Sequence, residues 1–114
     1  MTLQEKQSRF AQLVASLLSR AVALGYTARL GEAWRSEWEA TRLAKSKLGI
    51  RRSLHCDRLA IDLVLDKDGV WLKDTDAYRP LGEWWERQDP ECRWGGRFTR
   101  PDGNHFSLAH GGRA

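Results

Sequence analysis

The sequence predicts an α+β fold, a small antiparallel sheet with two or three helices packed against it. Three observations carry that expectation. Apolar residues recur at three- and four-residue steps through the first 24 positions, a helical period. The run Leu59-Ala60-Ile61-Asp62-Leu63-Val64-Leu65 is rich in aliphatic and β-branched residues and reads as a buried strand. Asp66-Lys67-Asp68-Gly69 follows at once, and its Asp-Gly pair marks a hairpin turn, so the strand after it returns antiparallel.

Taken in order, residues 2–24 form the first helix. Thr2 caps it, Glu5 completes a capping box, and Gly25 stops it. Phe10, Leu13, Val14, Leu17, Leu18, Val22 and Leu24 make its apolar stripe. Tyr26 to Leu30 is a short strand candidate ended by Gly31. Ser36 caps a second helix running to Lys47, with Glu39 three residues on. Residues 48–54 form a basic loop containing Arg51 and Arg52. Val70-Trp71-Leu72 is the hairpin's return strand, and 73–80 is polar and irregular. A short helix begins at Pro80, a residue suited to a first helical position, and Asp89-Pro90 ends it. Residues 92–98 are turn-rich, residues 105–109 alternate enough for a last strand, and the tail from His110 is expected to fray.

The 114 residues allow one domain and one modest core. The net charge of +4 favours an anionic partner, but the basic residues are scattered, so a nucleic-acid-binding domain is not expected. Two cysteines, Cys56 and Cys92, do not make a disulfide framework. No stretch is apolar enough to span a membrane, and the N-terminus lacks the apolar core of a secretion signal, so accumulation in the cytoplasm is expected.

Asp62 is the anomaly in this pattern. A carboxylate inside an apolar strand is costly unless something pairs with it. His55, ahead of the strand, and His105, at the start of the last one, are candidate partners through a shared metal ion. Two histidines and one carboxylate leave a fourth position for water, the arrangement of a catalytic zinc site. Asp102, three residues before His105, is the candidate general base. Arg35, at a strand-to-helix junction, is placed to hold an oxyanion or a substrate carboxylate. Spacing alone leaves alternatives open: Asp62 pairs with Arg58 or Arg97, and His105 is an ordinary core histidine.

The motifs resemble those of the zinc D,D-carboxypeptidase and L-alanyl-D-glutamate endopeptidase family, peptidoglycan peptidases of bacteria and phages with a hedgehog-type fold. Ser53-Leu-His55-Cys-Asp-Arg-Leu-Ala60-Ile-Asp62 is similar to that family's Ser-x-His-x4-Ala-x-Asp element. Asp102-Gly-Asn-His105 resembles its second motif, Trp94-Gly95-Gly96 the Trp-Gly-Gly of the endolysin branch, and Ala33-Trp34-Arg35-Ser36 its Gly-Tyr-Arg-Ser. The resemblance implies that His55, Asp62 and His105 bind Zn2+, that Asp102 is the base and later proton donor, and that Arg35 stabilises the oxyanion. Ser53 would assist by substrate contact or by orienting His55. Trp84, Trp85 and Trp94 are candidates to line the substrate groove, with core packing the expected role of at least one of them. Arg58 departs from the family's frequent glycine. An Asp base, where D,D-dipeptidases commonly use Glu, favours the endopeptidase branch.

The expected function is zinc-dependent hydrolysis of a peptidoglycan stem-peptide amide, L-Ala–D-Glu first, by a phage or prophage endolysin acting on the wall after release. The alternatives are a D,D-carboxypeptidase with the same site and a non-catalytic zinc-binding module. One catalytic domain over residues 1–114 is expected, without a separate wall-binding domain, monomeric and not inserted in the membrane, with a holin assisting release.

Overall fold

A computed structural model describes residues 1–45 and 53–114. Most of the expected basic loop, with Arg51 and Arg52, and the end of the second helix beyond Lys45 lie outside the described residues.

Helix α1 (Leu3–Ala23) starts as its capping box requires. Thr2 Oγ1 accepts the Glu5 N–H and the Glu5 carboxylate accepts the Thr2 N–H, each at 3.1 Å. It buries Phe10, Leu13, Leu17 and Ala21. Val22, expected in the stripe, is 69% exposed, because Ala21 occupies the core-facing position beside it. Gly25 takes φ +89 and turns the chain into β1 (Thr27–Leu30). Helix α2 (Glu37–Lys45) begins where Ser36 Oγ accepts the Glu39 N–H at 3.0 Å.

Strand β2 (Ala60–Lys67) is the centre of the sheet and turns through Asp68 (φ +53) and Gly69 (φ +78) into β3 (Val70–Trp71). Tyr78, on a 3-10 turn at Thr75–Tyr78, is buried in the stretch read as irregular. Its hydroxyl accepts the Leu65 N–H and donates to the Leu72 carbonyl, pinning that turn to the hairpin. Helix α3 (Arg79–Glu86) follows, with Pro80 in its first turn. It buries Trp85, whose indole N–H donates to the carbonyls of Arg93 and Ser107.

Strand β4 (Cys92–Trp94) occupies the segment read as turn-rich. Its side chains alternate buried, exposed, buried, and it pairs Cys92 with Leu108 and Trp94 with Phe106. Three residues are too few for periodicity to reveal; pairing with β5 (His105–Leu108) makes them a strand. The sheet order is β1-β2-β5-β4, antiparallel at each pairing, with β3 extending the hairpin from β2. Phe10, Trp85 and Phe106 meet edge to face, with centroids 5.9 and 6.1 Å apart, joining α1, α3 and β5 in one core. The tail expected to fray instead folds back: His110 bridges to Arg113, and Arg113 pairs with Asp57. No helix among the described residues is long and apolar enough to cross a membrane.

Candidate functional site

Strand alternation explains the carboxylate in the apolar run. Ile61, Leu63 and Leu65 are buried on the core side of β2, and Asp62 falls on the opposite side between them. The antiparallel register places Asp62 directly across from His105, so both side chains leave the same face. Ile61 and Phe106, one step along, share the core face.

His55 arrives from a tight turn. Ser53 Oγ accepts the His55 backbone N–H at 3.1 Å, and four further backbone bonds close the turn over residues 53–59. Arg58 ends it at φ +56, the left-handed conformation that favours glycine, at the position where glycine was expected from resemblance. Its guanidinium sits over the Trp34 ring, 5.2 Å from the centroid. Ser53 is buried, and its bond to the His55 backbone helps hold the turn.

His55 Nε2 lies 3.4 Å and His105 Nδ1 3.5 Å from the same oxygen, Asp62 Oδ1. That oxygen is buried and has no well-aligned hydrogen bond. Burial works to raise the Asp62 carboxyl pKa, but the two imidazoles outweigh it and bring it down to about 2. The spacings suit metal ligands: bonds of about 2.0–2.1 Å in a tetrahedron set neighbouring ligand atoms about 3.3–3.4 Å apart. One ligand atom from each of His55, Asp62 and His105 lies within 4.8 Å of the others, and both histidines are buried. The residues therefore fit a zinc ion: nitrogen and carboxylate donors on a strand pair and a closed turn, with an orphaned oxygen between them.

Asp102 stands beside this group. Its carbonyl accepts the His105 N–H at 3.1 Å and its own N–H donates to the Gly95 carbonyl at 2.9 Å. Partial desolvation, then the Asp62 charge, push its carboxyl pKa up, against the pull of His105, His55 and Arg35. A raised pKa suits a group that takes a proton and returns it. It also borders a cavity of about 260 Å³ walled by Trp71, Lys73, Thr75, Tyr78 and Pro101. The Gly95 position admits no side chain, since a Cβ there would stand 2.1 Å from the Asp102 carbonyl oxygen and 2.8 Å from His105 Cβ. That close approach is the physical content of the first glycine after Trp94.

Trp94 does not line a groove. It is fully buried, with Arg79 and Arg97 over its ring at 5.2 and 5.6 Å, and its indole N–H donates to the Gly103 carbonyl at 2.7 Å. It acts from beneath, holding the segment between Asp102 and His105. Trp85 is equally buried, whereas Trp34, Trp38 and Trp71 are exposed. Cys56 is outside the ligand group: its Sγ faces the Ser36 carbonyl at 3.9 Å, and burial raises its thiol pKa.

Arg35 is largely buried, donates its backbone N–H to the His55 carbonyl, and places Nε 2.7 Å from Glu32 Oε1. Glu32 went unnoticed in the sequence; a carboxylate three residues before Arg35 was the available signal. Arg97 pairs with Glu86 and Glu83 on α3 and so is not the partner of Asp62.

Two strands and a closed turn thus bring together a two-histidine, one-aspartate cluster that could hold a metal ion, with an acidic residue at its rim. Residues 47–108 match the family described as D-alanyl-D-alanine carboxypeptidase, and the chain belongs to this family of peptidoglycan-acting peptidases. Among solved structures, the chain is similar to the crystal structure of Serratia marcescens L-Ala D-Glu endopeptidase ChiX. The two are 23% identical, with a TM-score of 0.74 over 90% of this chain and 79% of that one. That likeness establishes the shared α+β fold. No curated protein matches the chain significantly.

Proposed function

We propose that the protein is a zinc-dependent peptidoglycan endopeptidase that hydrolyses the L-Ala–D-Glu bond of the stem peptide, in the manner of a phage or prophage endolysin. The observation that carries this reading is the convergence of His55 and His105 on one buried, unbonded oxygen of Asp62, with Asp102 beside them.

His55, Asp62 and His105 would hold Zn2+, which, when bound, lowers the pKa of a water and polarises a carbonyl. Asp102, beside the ligand group, would take the proton from the attacking water and deliver it to the leaving amine. Arg35 carries the positive charge that offsets the oxyanion, and Glu32 holds its guanidinium in place. The cavity beside Asp102 offers Lys73 to a carboxylate of the stem peptide and Trp71 to its apolar atoms. An aspartate in the base position supports the endopeptidase over the D,D-carboxypeptidase, the second reading of the same site.

The protein would accumulate in the cytoplasm and reach the wall through a holin, acting as a monomer whose positive charge favours acidic wall polymers. The test is turbidity loss of outer-membrane-permeabilised Gram-negative cells, with and without chelator, followed by product analysis on purified muropeptides. Lysis that chelator abolishes and zinc restores, with free D-Glu amino termini, is expected. Release of terminal D-Ala alone would move the assignment to the carboxypeptidase.

A further inference from the structure

Glu32 lies on the segment between β1 and α2, and three of the five residues assigned to chemistry (Asp62, Arg35 and His55) touch it. Its backbone carbonyl accepts the Asp62 N–H at 2.8 Å, while the neighbouring Gly31 N–H donates to the Asp62 carbonyl, also at 2.8 Å. Its carboxylate oxygen Oε1 accepts from Arg35 Nε at 2.7 Å and lies 3.7 Å from His55 Nδ1. That imidazole nitrogen is buried and has no other partner. The separation is about 0.7 Å longer than an N–H···O bond, within reach of a small side-chain rotation. The other His55 nitrogen, Nε2, is the one facing Asp62 Oδ1.

We propose that Glu32 is a positioning residue: by taking the Nδ1–H of His55 it fixes the tautomer that leaves the Nε2 lone pair free for the metal, and by the same oxygen it aims Arg35. A metal-binding imidazole needs its second nitrogen protonated and anchored, and such anchors typically carry 10–100-fold in metal affinity. Glu32 is the only carboxylate paired with that nitrogen among the described residues. The carboxylate thus couples the ligand turn to the oxyanion-binding arginine, and its backbone couples both to the strand that carries Asp62. The inference rests on the reading of His55, Asp62 and His105 as a zinc site.

The test compares zinc affinity, by competition with a chromogenic chelator, for wild type, Glu32→Gln, Glu32→Ala and Asp62→Ala. Long-range proton–nitrogen correlation spectra of the zinc-loaded wild type report the His55 tautomer without any substitution. The Glu32 side chain is one-third exposed, and circular dichroism checks that the variants fold. Expected are Nδ1-protonated His55 in wild type, a 10–100-fold affinity loss in Glu32→Ala, and a smaller loss in Glu32→Gln, whose amide oxygen still accepts. Zinc affinity in Glu32→Ala within twofold of wild type, or Nε2-protonated His55, would overturn the role of Glu32 while leaving the zinc site standing. Wild type binding zinc no better than Asp62→Ala would overturn both.

Discussion

Replacing Gly82 by alanine sets two effects of opposite sign against each other. Gly82 is inside α3, where alanine is favoured over glycine by about 1 kcal/mol. The structure puts the six-membered and five-membered rings of Trp94 in the space a Cβ would need: Cδ2 at 2.2 Å, Cε2 at 2.3 Å and Cγ at 2.5 Å. Ordinary contact begins at 3.4 Å, so the indole must retreat by about 1.2 Å, the difference between 3.4 and 2.2. Trp94 is fully buried and cannot swing into solvent. Its retreat strains or breaks the 2.7 Å bond to the Gly103 carbonyl. Overpacking of this kind costs about 1–3 kcal/mol, and leaving a buried partner unbonded adds about 1–3 kcal/mol. After the helix gain of about 1 kcal/mol is subtracted, a net loss of roughly 1–5 kcal/mol remains. Urea denaturation should show the midpoint lowered at unchanged m-value. Zinc affinity should fall as well, because the displaced segment carries Asp102 and His105. A stability gain near the helix-propensity value would refute the packing argument and the role assigned to Trp94.

Four further outcomes are expected. Zinc at a hundred times its dissociation constant should stabilise wild type by about 2.7 kcal/mol and leave Asp62→Ala unmoved in a thermal melt. Asp102→Ala should retain zinc by elemental analysis while muropeptide hydrolysis drops by about 10²–10⁴-fold. Tyr78→Phe removes the acceptor of the Leu65 N–H and the donor to the Leu72 carbonyl, and should cost about 1–3 kcal/mol by chemical denaturation. Burial pushes the Cys92 thiol up to about 12 from an ordinary value of 9.0. The folded state keeps it protonated, so the stability it contributes is complete below pH 9 and is lost as pH rises toward 12. Between pH 9 and 10.5 wild type should lose about 2 kcal/mol more than Cys92→Ala, a gap seen in denaturation midpoints measured at both pH values.

Local rules account for what could be read from the chain directly. The capping box of α1, the Asp-Gly hairpin and the β2 run depend on neighbours in sequence, and each forms within a residue or two of its expected bounds. Alternation along β2 is likewise local, so the sequence by itself marked Asp62 as an anomaly requiring partners. Residue type and placement named His55 and His105 as candidate partners, motif resemblance favoured them over Arg58 and Arg97, and the structure sets both around one Asp62 oxygen. What no local rule contains is register across the sheet. β4 exists because Trp94 pairs with Phe106, and the tail is ordered because Arg113 reaches Asp57, a residue far away in sequence. The same distinction separates the tryptophans. Composition sees six alike, but only packing decides that Trp94 is sealed beneath the Asp102 segment while Trp71 stands exposed beside it. Glu32 is the last case: its sequence neighbourhood shows a plain acidic residue, and its meaning comes from a backbone bond to β2 and a carboxylate turned toward His55. Such contacts depend on where chain segments meet in space, which the tertiary fold alone determines.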